Sequence, residues 1–435
     1  MMFNDALSKA AEIALQHLGD SSRPVILVRD LFGKFRVVLP DDRADIADVL
    51  AAELTAALGV YGYAATSTFL RESDVGTAAR SARVILESEG GAQVVLVDRL
   101  LTGTEWSATP SVEAGGRKRF TLFSMKGGVG RSTTATALAW HLAKKGKRVL
   151  VLDLDLESPG VGTTLLGKSL PRLGVVDWFV EDAVGQGPLV LPQMVAESEL
   201  GVATTGKLLV VPCFGTDTGF RGATTQPDDQ GDYLPKLGRA YLERGPKGHE
   251  PWPHRLRRLV CDLEDKEKPD IVLLDSRTGL HDTSAALILA MGADTLMFAV
   301  DTRQTWAAYR FLFEHWRSHP DVRDFRDRLW VIGSMVPRKD GDAYVEGLRD
   351  GAYKLFWETL YDQPPEGTDE AADTASLFNF QPTDESANHY PREVLFDEGL
   401  VAFDPLSALQ EGPIGAAYGK LFDWFDRTFL SEEAP

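Results

Sequence analysis

Phe120-Thr121-Leu122-Phe123-Ser124-Met125-Lys126-Gly127-Gly128-Val129-Gly130-Arg131-Ser132-Thr133 decides the fold of this chain. The apolar run Phe120 to Phe123 reads as a buried strand. Gly127, Gly128 and Gly130 then permit a tight loop whose backbone N–H groups turn inward. A helix is predicted from Ser132 to Lys145. Strand, glycine loop and helix N-terminus together make an anion cradle, because the first helical turn presents unpaired N–H donors and partial positive charge. Ser132 supplies a hydroxyl placed for Mg²⁺. Lys126 and Arg131 bracket the loop with cations.

The same element order continues outward from this stretch. Arg148 to Leu152 (RVLVL) reads as a strand ending in Asp153, and Ile271 to Leu274 (IVLL) as one ending in Asp275. Leu208–Val211, Thr295–Val300 and Trp330–Ile332 are further strands. Short, wholly apolar strands alternating with helices predict an α/β fold, a mostly parallel doubly wound sheet covered on both faces. Ligands in such sheets sit at the carboxyl ends of the strands. The glycine loop, Asp153 and Asp275 all fall there, so one site can contain them. The structural alternative for each acid is a cap or turn residue, since Asp commonly follows strands.

The loop departs from the ordinary pattern G-x-x-x-x-G-K-[ST]. Met125 stands at its first Gly and Arg131 at its Lys. It matches the deviant form K-G-G-x-G-K-[ST]-T, with Arg131 in the Lys position. On these residues, Phe120 to Asp155 with Ile271 to Thr278 resembles the MinD/ParA class of P-loop ATPases. Within that class it is similar to the KGGVGR-motif variant, whose partner phrase resembles Leu274 to Gly279 (LDSRTG). The resemblance covers about residues 119–430.

That resemblance implies a P-loop NTPase sheet with ATP and Mg²⁺ as cofactors. Gly127, Gly128, Val129, Gly130, Arg131, Ser132 and Thr133 would surround the phosphates. Ser132, Asp153 and Asp275 would form the metal site, with Asp153 holding a metal-bound water. The catalytic set would be Lys126, Arg131 and Asp155, with Asp155 orienting the attacking water. Lys126 would reach across an ATP-dependent homodimer to the partner's phosphates. Residues Met335 to Arg338 lie where the family contacts the base, which makes Pro337 and Arg338 the expected contacts. Arg277 is either an intersubunit or phosphate contact or a salt-bridged structural residue. Arg131 keeps the charge of Lys but is planar, larger and always protonated. It can bind phosphate oxygens in pairs, or hold ATP without aligning it for attack. Binding therefore follows more directly than hydrolysis.

The functional expectation is a nucleotide-dependent dimerisation switch that engages a protein partner. By analogy with the variant family, prokaryotic conflict and anti-phage defence is a setting for it. The alternatives are a non-hydrolysing nucleotide-binding scaffold and a ParA-like DNA-associated partitioning ATPase. A formal net charge of −18 argues against nucleic acid. The basic clusters Arg117–Arg119 and Arg255–Arg258 are short. The amphipathic stretch Ala416 to Leu430 has too few bases for an anionic-lipid anchor and reads as a closing helix packed on the sheet. No apolar run reaches spanning length, and the N-terminus has no signal-peptide pattern. Cys213 and Cys261 read as reduced packing residues that do not fit a metallocluster pattern. A cytoplasmic location is expected.

Residues 1–101 read as a smaller N-terminal α/β domain for adaptor or effector docking. Its helices are predicted at 4–18 and 41–58, and its strands at 24–28, 35–39 and 92–97. Residues 102–118 form the expected linker, and 119–435 the nucleotide-binding domain. Two polar stretches, Thr216–Gly231 and Gln363–His389, read as irregular loops of the functional or mobile kind.

Overall fold

The computed structural model describes residues 1–19, 23–76, 83–111, 118–202, 204–216, 233–363, 377–401, 403–406 and 411–431. The chain divides into two units: Met1–Thr109 with His315–Val322, and Pro110–Glu314 with Arg323–Pro435.

In the first unit, strands β1 (Val25–Arg29), β2 (Phe35–Val38), β3 (Phe69–Leu70), β4 (Arg83–Glu87) and β5 (Gln93–Asp98) form a sheet of order β3-β2-β1-β5-β4. β1 and β5 run parallel at its centre. β2 and β4 join them antiparallel. The helices Phe3–Leu18 and Ala47–Leu58 cover one face. Their residues Ala6, Ala10, Ile13, Leu50 and Leu54 bury against Leu27, Val37, Val94 and Leu96.

The second helix starts at Ala47 rather than Asp41. Asp41–Ile46 is a 3₁₀ turn after Pro40, and Arg43 leaves helical geometry at φ −118°, ψ 25°. Its guanidinium instead donates to the His17 carbonyl at 2.9 Å. β4 was not anticipated. It forms a hairpin with β5 across a turn in which Gly91 has φ +80°. The first part of the expected linker is packed: Thr104–Ser107 is a 3₁₀ turn with Trp106 buried. Residues 112–117 lie outside the described residues.

The second unit contains β6 (Lys118–Ser124), β7 (Arg148–Asp153), β8 (Ala196–Glu197), β9 (Lys207–Val211), β10 (Arg244–Gly245), β11 (Gly248–His249), β12 (Ile271–Asp275), β13 (Asp294–Ala299), β14 (Leu329–Val336) and β15 (Arg392–Leu395). Its main sheet has the order β15-β14-β13-β6-β12-β7-β9-β8. Every pairing in it is parallel except β8 on β9. β10 and β11 form a separate small ribbon.

Helices Arg131–Lys144 and Glu411–Phe425 bury Leu138, Leu142, Leu421 and Phe425 with Leu122 and Leu273 on one face. Helices Val175–Asp182, Trp252–Glu267 and Asp282–Leu289 cover the other face over Leu150, Leu152 and Leu274. Burial on both faces is why these strands read as unbroken apolar runs. The C-terminal helix is core, and each buried Leu or Phe in it contributes about 1.5–3 kcal/mol.

Residues 385–390 turn around a buried cation, Arg392, through the Glu385, Ser386, Ala387 and Tyr390 carbonyls. Arg392 donates to the Ala387 carbonyl at 2.7 Å and lies against the rings of Trp330 and Trp424. β15 follows directly and was not anticipated. Residues 217–231 and 364–376 of the two irregular stretches lie outside the described residues. Each of the two basic clusters has one arginine turned into the core. Arg119 is buried on Glu264 with both hydrogen bonds at 2.7 Å, and Arg255 is buried on Asp182 at 3.1 Å.

Candidate nucleotide-binding site

The parallel register sets the site. Asp275 at the end of β12 is level with Asp153 on β7 and with Leu122 on β6. The loop Met125–Gly130 leaves β6 at that level and enters the helix Arg131–Lys144. Gly128 and Gly130 have φ +75° and +80°. Any L side chain is disfavoured in that conformation, so both glycines are required for the turn. Gly130 is also the N-cap of the helix.

A cleft of about 450 Å³ opens over the loop, a size suited to a small-molecule ligand. Ser124, Lys126 to Thr133, Asp155, Glu157 to Gly160, Arg277 and Thr278 line it. The described residues thus bring Lys126, Gly127, Gly128, Val129, Gly130, Arg131, Ser132, Thr133 and Asp155 to one cavity. The Ser132 hydroxyl donates to Asp275 Oδ2 at 2.8 Å. Hydroxyl and carboxylate therefore meet at the edge of the cradle. This donor set fits Mg²⁺, which takes one or two protein ligands and completes its shell with phosphate and water. Ser132 and Asp275 would hold the ion, which would neutralise charge on the phosphates.

Arg131 lines the cleft, but its guanidinium is held on carboxylates rather than left free for phosphate as expected. Its side chain folds inward, 7% exposed. Nε donates to Asp275 Oδ1 at 2.7 Å, one terminal nitrogen to Asp155 Oδ2 at 3.1 Å, and the other to Ser124 Oγ at 3.4 Å. Burial opposes the charge, yet Asp275 and Asp155 hold the guanidinium pKa above its ordinary value. Burial raises the pKa of Asp155, against the pull of Arg131.

Asp153 also departs from expectation. It is fully buried and does not line the cleft. Its Oδ2 accepts the Gly160 and Gly162 N–H groups, each at 3.0 Å, while Oδ1 has no hydrogen-bond partner. Those donors belong to the start of the helix Val161–Leu166, so the carboxylate caps that turn. Burial, then the charge of Asp275, push its pKa up to about 7.

Lys126 lines the cleft and bonds to Gln304 Oε1. Arg277 pairs with Glu157 at 2.5 Å across the mouth. Pro337 and Arg338 lie elsewhere. They line a separate open cavity with Asp340, Gly341, Glu393 and Lys420, and Arg338 pairs with Asp397 at 2.8 Å. The residues that adjoin the loop on this side are Met335 and Val394 to Asp397, in a small pocket shared with Val129, Gly130 and Thr133. Met335 has φ +57° beside the bulge between Gly333 and Val336. The irregular stretch before β15 hid this wall from sequence reading.

Residues 117–177 match the family model described as ParA, NUBPL iron-transfer P-loop NTPase. The P-loop unit is of the MinD/ParA class. Among curated proteins, the chain is 33% identical over 167 residues to the cytosolic Fe-S cluster assembly factor cfd1 of Neurospora crassa, covering 38% of this chain and 43% of that one. It is 46% identical over 191 residues to the cytosolic Fe-S cluster assembly factor NUBP2 of Rattus norvegicus, covering 43% and 54%. It is 52% identical over 55 residues to the chromosome-partitioning ATPase Soj of Thermus thermophilus, covering 13% and 21%. The chain thus spans about half the length, or less, of these relatives. The ParA family ATPase of Chlorobium tepidum TLS aligns with 71% of this chain and 98% of its own at 13% identity and a TM-score of 0.42. No helix among the described residues is long and apolar enough to cross a membrane.

Proposed function

We propose that this MinD/ParA-class chain binds ATP with Mg²⁺ at the Lys126–Thr133 loop and uses it to form a homodimer that engages a protein partner. The observation that carries this reading is the Ser132–Asp275 hydrogen bond of 2.8 Å at the edge of the glycine cradle. It joins an anion site to a cation site, as a magnesium nucleotide requires. Asp155 orients the attacking water, and phosphoryl transfer needs little more than positioning and charge. Turnover is slow, because Arg131 is paired inward. The unit Met1–Thr109 is the adaptor. Prokaryotic conflict is the setting suggested by the variant motif.

The iron–sulfur role in the relatives' names is less well supported by this chain's residues. Clusters are held by cysteine thiolates. This chain has two cysteines, and Cys213 is fully buried with its thiol on the Asp153 carbonyl at 3.1 Å.

Titration of a fluorescent ATP analogue tests binding. Saturable binding that Ser132→Ala makes insensitive to Mg²⁺ supports the reading, and no binding by the wild type sinks it. Light scattering with a non-hydrolysable ATP analogue tests the dimer. The mass doubles in the wild type and not in Lys126→Ala. No increase, or an equal increase in both, removes the dimer from the reading.

A further inference from the structure

We propose that Arg131 is a brake on hydrolysis: it ties down the water-orienting carboxylate of Asp155 until bound phosphates draw its guanidinium away. This rests on the reading of the site given above.

The planar fork makes the tether. Different nitrogens of one guanidinium engage Asp275, Asp155 and Ser124 together. A lysine has a single nitrogen at the end of a flexible stem and cannot hold these separated acceptors in one rigid plane. Asp155 is thereby fixed to the first residue of the P-loop helix. The rest of its segment is fixed independently. Leu156 carbonyl accepts from the Tyr233 hydroxyl at 2.6 Å, and Glu157 pairs with Arg277 at 2.5 Å. Arg131 is therefore the hold on the Asp155 carboxylate itself. Both Arg131 and Asp155 line the cleft over the glycine loop. A polyphosphate in that cleft offers the guanidinium paired anionic oxygens, which compete directly with the carboxylates. Once the guanidinium turns to phosphate, Asp155 is free to accept a hydrogen bond from water. That water attacks the γ-phosphorus as the bond to the β-phosphate oxygen breaks. The products are ADP and inorganic phosphate, and the water's proton passes to phosphate or solvent.

Hydrogen exchange and turnover, measured on the full chain, test the brake. Without nucleotide, the Ser158 amide, which donates to the Asp155 carbonyl at 3.1 Å, exchanges several-fold faster in Arg131→Lys than in the wild type. Asp155→Ala cuts the same tether from the other end and gives the same increase, so the measurement does not depend on one variant folding. In phosphate-release assays, Arg131→Lys raises kcat roughly tenfold or more with KM little changed. The double variant with Asp155→Ala loses that gain. Unchanged exchange in both single variants overturns the brake. So does a kcat for Arg131→Lys at or below wild type with nucleotide still bound. Absence of nucleotide binding by the wild type overturns the underlying reading, and the brake with it.

Discussion

Asp153 and Asp155 stand two residues apart and meet different surroundings. Asp153 turns away from the cleft to cap Gly160 and Gly162, and its pKa rises to about 7 through burial and the nearby Asp275. An acid whose folded pKa is raised stabilises the fold when protonated. That contribution is complete below the unfolded value and is lost as pH rises through about 7. A shift of this size is worth at most about 4 kcal/mol. Wild-type melting temperature therefore falls between pH 5 and 8 relative to Asp153→Asn, in which no charge forms at this position. Parallel melting curves in the two proteins would refute the assignment. The sequence placed both acids at the end of one strand, and that much was legible. Which way each carboxylate turns was not, because the donors that decide it lie several residues later or on another element. Arg131 is the same case. Its charge was legible, but its inward pairing depends on Asp275, which is remote in sequence.

At the scale of elements, strand ends and helix caps carry the argument. Gly130→Ala places a side chain at φ +80°, which costs about 1–2 kcal/mol and turns the cradle N–H groups out of line. Calorimetric titration should show nucleotide affinity falling in this variant with only a modest drop in melting temperature. Gly162→Ala acts differently. Its Cβ would meet Pro212 Cβ at 2.8 Å and Cα at 2.9 Å, an overpacking cost of about 1–3 kcal/mol. Thermal melts should register that loss without nucleotide present, and an unchanged midpoint would contradict the packing described. Breaking the buried Arg119–Glu264 pair with Arg119→Met should cost about 3–5 kcal/mol by chemical denaturation, because it strands a buried carboxylate. The sheet strands with continuous apolar runs were legible because burial on both faces leaves no room for alternation. β15, β8 and β4 were not. β8 has two residues, and β15 follows a long polar stretch that gives no period to read.

Over the whole molecule, charge was the most readable property and its distribution the least. The net charge of −18 already disfavours nucleic acid. Folding then removes Arg119 and Arg255 from the surface into ion pairs. Anisotropy with a random-sequence duplex should show no binding at physiological salt, with or without nucleotide. Saturable binding there would restore the partitioning alternative. The two edges of the large sheet bear on another matter. One is the two-residue β8, set antiparallel to its neighbour, and the other is the four-residue β15. Such short borders offer a newcomer few backbone hydrogen bonds to copy. Growth into fibres by strand addition at this sheet is therefore disfavoured at the root.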